Sequence, residues 1–120
     1  MKIRDIKSLP KKFGYSDVTV LVKYECSDFW GEYYPDSKII ELYILDENDK
    51  ILDTDFIIKT LCHELAHHIQ SEEGILNLRK AHDSKFKSVM WQLLGMYYEG
   101  NIPQKVVDLV TSEEEILYEG

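Results

Sequence analysis

The sequence predicts an α+β fold, and three observations carry that reading. Residues 18–44 contain segments in which apolar and β-branched residues alternate with a period of two, while residues 53–110 contain segments whose apolar residues recur at helical spacing. Strands first and helices after is the α+β order, as opposed to the interleaved order of α/β chains. The chain has 120 residues with no internal repeat or low-complexity segment. That length suits one domain with a real core, spanning residues 1–120, and is too short for two.

The elements follow in order. Residues 1–17 combine Lys11 and Lys12 with Pro10 and Gly14, and read as an entry segment of unassigned structure. In the first strand Val18, Val20, Val22 and Tyr24 share one face. A second strand surrounds Trp30-Gly31-Glu32-Tyr33-Tyr34, and after the turn signal Pro35-Asp36-Ser37 a third covers Lys38 to Ile44. Together these suggest a small antiparallel sheet built from hairpins. Asp46 to Lys50 is a polar loop.

A long helix comes next. Asp53 or Thr54 can cap it, and Ile58, Leu61, Cys62, Leu65 and Ile69 form a stripe that packs into the core. Gly74 is its expected terminator. A linker through Asn77 to Ala81 leads to His82, after which Asp83 or Ser84 opens a helix carrying Phe86, Val89, Met90, Leu93 and Leu94 inward, with Gly95 as its end. Pro103 suits the start of a short third helix with Val106, Val107, Leu109 and Val110 as its apolar surface. An acidic tail at about 112–120 is expected to be solvated.

Composition narrows the function classes. The net charge of −8 opposes a phosphate-tracking surface, so nucleic acid is not an expected partner. No apolar run approaches the roughly 20 residues that span a bilayer, and the basic start lacks an apolar segment behind it, so no membrane anchor or secretory signal is expected and the chain is placed in the cytosol. Cys26 and Cys62 form no CxxC pair and build no zinc ribbon; Cys62, on the apolar stripe, reads as a small buried hydrophobe.

The segment that carries chemistry is His63-Glu64-Leu65-Ala66-His67, an HExxH run inside the long helix. Residues four apart on a helix share a face with Cβ atoms roughly 5–6 Å apart, so the two imidazoles can converge on one ion. Glu64 is turned roughly 100° from His63 and can reach a water at that ion without ligating it. This is the pattern of a zinc hydrolase, with two histidines on the metal and a carboxylate as general base.

A catalytic zinc usually takes three protein ligands. His68 adjoins His67 but is turned roughly 100° away, so it is expected in a supporting or surface role. His82 follows His67 by fifteen residues at the start of the next helix, where a chain reversal brings it back over the motif face, and it is the leading third ligand. Glu72, Glu73 and Asp83 are the competing carboxylates, Asp83 being better used as a cap. The extended metzincin pattern is absent, because Gln70 and Glu73 occupy the places of its glycine and third histidine. The following helix also has no glutamate of the thermolysin type.

HELAH followed by His82-Asp83-Ser84-Lys85-Phe86 resembles the SprT-like metallopeptidases and the small zincins related to them, in which a later helix opens with a histidine and carries an aromatic four positions on. The segment from Gly31 to Tyr43 resembles the hairpin ahead of their active-site helix. The resemblance covers roughly residues 28–95. Asp83 departs from it, since members often have glycine there. The resemblance implies a compact zincin-like domain, with the hairpin packed on the active-site helix and the next helix following. It also implies one catalytic Zn²⁺ on His63, His67 and His82, and hydrolysis of a peptide or protein substrate by a zinc-activated water with Glu64 as general base.

An inactive peptide-binding zincin and a zinc hydrolase with a non-peptide substrate are the alternatives. Substrate would lie along an exposed strand, with 38–44 as the candidate. Tyr33, Tyr34, Tyr97, Tyr98 and Arg79 are unranked candidates for an auxiliary donor.

Overall fold

The computed structural model of the chain describes residues 3–74 and 82–114. A helix, α1 (Ile3–Lys12), precedes a sheet of three strands, β1 (Thr19–Lys23), β2 (Gly31–Tyr34) and β3 (Ile39–Tyr43). Helices α2 (Thr54–Glu72), α3 (Ser84–Tyr97) and α4 (Gln104–Glu114) follow. The architecture is α+β, as the order of periodicities predicts.

The entry segment is the first difference. Ile6, Leu9 and Pro10 are buried on one face of α1, and Phe13 continues that face into the turn. Pro10 obscures this spacing, because a proline in a helix removes a hydrogen bond. Here it sits in the last turn, where the helix is already closing. Gly14, at φ 95°, reverses the chain, and the Tyr15 amide donates to the Pro10 carbonyl at 2.8 Å.

The second difference is the sheet, which is mixed. β2 and β3 form the expected antiparallel hairpin, with Tyr33 opposite Ile40 and Glu32 opposite Glu41. Its turn closes through the Lys38 amide, which donates to the Tyr34 carbonyl at 2.8 Å, with Lys38 itself at φ 56°. β1, however, pairs with β3 in parallel, Val20 opposite Ile40, giving the strand order β1-β3-β2. The segment 24–30 carries the chain from one side of β3 to the other, so β1 and β2 never pair. Alternation fixes which face a residue occupies and leaves the choice of neighbour open. A consequence is that the strand at 38–44 is central and has no open edge, which removes it as a docking strand; the outer strands are β1 and β2.

Ile40, Leu42 and Ile44 point from β3 into the core, where α2 lies across the sheet against β2 and β3. Helices α3 and α4 cover the other side of α2. The result is a helix enclosed on all sides: every residue from Ile57 to His68 is buried, well beyond the single stripe that the sequence suggests. Cys62 is among them and Cys26 is exposed, both as free thiols. Burial pushes the Cys62 thiol up to about 12.

The ends of the helices follow local chemistry. Asp46 closes the polar loop by accepting from the Asn48 and Lys50 amides at 2.8 and 3.0 Å. Asp53 occupies the N-cap of α2 but makes no capping bond; its carboxylate takes Lys105 of α4 at 3.0 Å instead. The same ammonium lies 2.7 Å from Asp55, which also accepts from the Tyr98 hydroxyl, so the start of α2 is tied to α4 and to the end of α3. Lys105 first, then Tyr98, holds the Asp55 carboxyl below its usual range. Gly74, at φ 71°, ends α2 as expected, its amide donating to the Ser71 carbonyl at 3.0 Å.

Asp83 caps α3, accepting from the Phe86 amide at 2.9 Å. Gly95 does not end this helix. It continues to Tyr97, and the reversal falls at Glu99 and Gly100, with φ of 53° and 85°. In α4, Val106 and Val110 are buried, and the Pro103 carbonyl accepts from the Val106 amide at 3.0 Å. α4 takes in residues 112–114 of the expected tail. The linker at 77–81, with Arg79, and the tail from 115 onward lie outside the described residues. Among the described residues no helix is long and apolar enough to cross a membrane.

Replacing Asp83 with Ala removes the one side-chain bond that caps α3, and should lower unfolding free energy by about 1 kcal/mol. Urea titration should show a reduced midpoint with an unchanged slope.

Candidate metal centre

His63 and His67 lie one turn apart on the side of α2 that meets Phe86 of α3, and His82 precedes the Asp83 cap of α3. The capping bond fixes the backbone at the threshold of α3 and so aims His82 back at α2. One ring nitrogen from each of the three histidines falls within 4.8 Å of the others. The Nε2 atoms of His67 and His82 are 3.2 Å apart. Two nitrogens bound to one tetrahedral zinc at its usual bond length would be roughly 3.3 Å apart, so this spacing already fits. The ring centroids of His63, His67 and His82 are mutually 4.9 Å apart.

Phe86 forms the floor of the cluster. Its ring is 4.8, 4.7 and 5.0 Å from the rings of His63, His67 and His82. It is also buried, which explains physically why an aromatic belongs four residues after the third histidine: one turn into α3, it fills the space behind all three rings.

Gln70 is a functional candidate that sequence reasoning passed over, noticing it only as the wrong residue for a metzincin. It is buried, and its Oε1 lies 2.9 Å from His67 Nδ1. With Nδ1–H donating to this oxygen, the lone pair of His67 Nε2 is directed at the cluster, and such partners fix the tautomer of ligating histidines. The signal was present as the i, i+3 spacing from His67 to Gln70.

Glu64 is fully buried, and among the described residues neither of its carboxylate oxygens has a hydrogen-bond partner. An ionised carboxylate in that setting is costly, and burial pushes its pKa up to about 8 despite the opposing charge of Lys59. Lys59 is itself fully buried, one turn before His63, with its ammonium 4.3 Å above the Phe56 ring. A lysine off the apolar stripe gives no signal in sequence that it would be enclosed.

The remaining candidates face elsewhere. His68 is buried, not at the surface, and sits on the sheet side of α2, its Nδ1 2.7 Å from the Tyr33 hydroxyl and its ring edge-on to Tyr15. Its Nε2 lies 3.7 Å from both Asp17 and Glu72, forming a second convergent group. Lys38 reaches both carboxylates at 3.0 Å, so an ammonium already supplies the positive charge there. Glu72 thus belongs to that surface group, and Glu73 pairs with Lys85 at 2.8 Å. The hydroxyls of Tyr33, Tyr34 and Tyr98 are engaged with His68, Glu32 and Asp55. Tyr97 stacks edge-on against Tyr98.

The donor set suits a metal ion. Three imidazoles converge on one point, and the buried carboxylate that follows His63 on the same helix lacks, among the described residues, the partner that burial demands. The family comparison agrees: the SprT-like family model matches residues 19–107, and the chain belongs to this family. The match extends the sequence resemblance through β1 at one end and into α4 at the other. Comparison with curated proteins and with solved structures gives no match.

Gln70→Ala should weaken metal binding about 10- to 100-fold while leaving the fold intact, as measured by competition with a chromophoric chelator.

Proposed function

We propose that the protein is a zinc-dependent metallopeptidase, with His63, His67 and His82 as the ligands and Glu64 as the general base. The observation that carries this reading is the pairing of three convergent imidazoles with a fully buried, unpartnered carboxylate one position along the same helix. Three neutral nitrogen donors suit zinc among the common metals and leave a fourth position for water. When bound, zinc supplies a Lewis acid that activates water and polarises a carbonyl.

The chain's own residues perform the rest. Glu64, in its ionised form, would accept the proton of the attacking water. It passes that proton to the leaving amine, so the carboxylate is regenerated with each turnover. Gln70 holds His67 in the tautomer that presents Nε2. Phe86 closes the space behind the three rings and keeps water from their inner side.

A peptide substrate fits along β2, the outer strand that lies on α2, where unpaired backbone groups can add one more strand. Backbone pairing of this kind binds extended chain with little dependence on its side chains.

Two substitutions test the reading in one assay series, using zinc analysis and a broad peptide-cleavage screen. Glu64→Gln should retain stoichiometric zinc and lose hydrolysis by about 10²- to 10⁴-fold. His82→Ala should lose most of its zinc affinity. Peptide cleavage retained in Glu64→Gln would remove the assigned base, and unchanged zinc affinity in His82→Ala would remove the third ligand. A zinc-loaded wild type that cleaves no peptide in the screen would favour the alternatives, a peptide-holding zincin or a hydrolase of another substrate class.

A further inference from the structure

We infer that Gly31 is a positioning residue for Glu64, an assignment that rests on the general-base reading above. Gly31 opens β2 and is buried where the strand crosses α2. Its backbone is ordinary strand, outside the left-handed region, so conformational freedom does not explain a glycine at this position. Close approach does. A Cβ added at residue 31 would lie 2.9 Å from Thr60 Cγ2, 3.2 Å from Glu64 Cγ and 3.3 Å from the Glu41 carbonyl oxygen. The first distance is below any real contact, and the other two require the neighbour to yield.

Of the three neighbours, Glu64 is the side chain that no hydrogen bond among the described residues holds in place. Thr60 is held by its hydroxyl, which donates to the Phe56 carbonyl at 3.0 Å and thereby fixes the direction of its methyl group. The Glu41 carbonyl belongs to the central strand. β2 cannot back away, because Gly31 is in register with Leu42 and the preceding Trp30 carbonyl accepts from the Tyr43 amide at 2.9 Å. The Glu64 carboxylate, by contrast, has no hydrogen bond to hold it. Packing therefore has a large share in its placement, and the flat backbone at residue 31 is the wall against which its Cγ rests. A side chain on that wall displaces the base from the position it now holds.

The test separates this push from simple destabilisation. Thr60→Ser removes the methyl group that a Cβ would strike and keeps the hydroxyl bond, so Gly31→Ala in that background leaves Glu64 as the principal side chain in the way. Thr60→Ser and the double variant are compared for zinc affinity, thermal midpoint, kcat and KM, and their zinc-loaded crystal structures are overlaid at residue 64. The double variant should keep zinc affinity within about twofold and lose about tenfold or more in kcat with KM little changed, because a misplaced catalytic group penalises the chemical step. Glu64 should be shifted by several tenths of an ångström or turned to another rotamer.

A double variant with the kcat of Thr60→Ser overturns the inference, as does one in which Glu64 superimposes on its wild-type position. Should wild type itself cleave no peptide, the general-base reading fails, and the overlay still decides whether Gly31 sets the Glu64 side chain.

Discussion

Everything in this structure depends on one helix being enclosed. α2 is the shared wall between the sheet and the pair α3 and α4, so its apolar side chains must meet neighbours around nearly the whole circumference. The polar residues it carries are enclosed with them. His63, Glu64, His67, His68 and Gln70 are all buried in a helix that reads in sequence as merely amphipathic. Each such group requires a partner or an ion, since desolvating a polar group without one costs several kcal/mol. His68 finds Tyr33, and His67 finds Gln70 and His82. Glu64 finds none. The candidate centre is therefore the place where the packing demand of the core and the solvation demand of its polar residues remain unreconciled by protein atoms.

Much of the centre was legible in the sequence because it is local. The i, i+4 spacing of His63 and His67 is a property of a single helix, and His82 stands beside a residue, Asp83, whose capping tendency is equally local. Those features fix geometry over a few residues, which is the range at which pattern reading works. The capping bond also gives a reason for Asp83 standing where the sequence resemblance leads one to expect glycine. Asp83 has an extended backbone, with φ −75° and ψ −177°, that needs no glycine, and the position instead gains an acceptor for the Phe86 amide.

What was not legible is non-local. The parallel placement of β1 rests on a choice between two sides of β3 that alternation cannot encode. α1 was hidden by Pro10, whose effect depends on whether it falls in mid-helix or, as here, in the final turn. The enclosure of Lys59 and Glu64, and the closeness of Gly31 to Thr60, come from the approach of a strand to a helix far away in sequence. Gln70 was in view but misread, because a residue can be judged absent from one pattern while filling a role in another.

The distribution of the three imidazoles along the chain has a mechanical consequence. Two ride on α2 and one stands at the entrance to α3, so an ion shared by all of them is also a cross-link, closing a loop of fifteen residues between His67 and His82. Unlike a disulfide, such a link exists only in the folded chain, so it stabilises by mass action and its strength follows the concentration of free ion. The staple acts on the junction where Asp83 starts α3 and Phe86 enters the core. The same atoms that define the centre would thus hold the two helices in register, and the occupancy of the site would set how firmly α3 stays seated on α2.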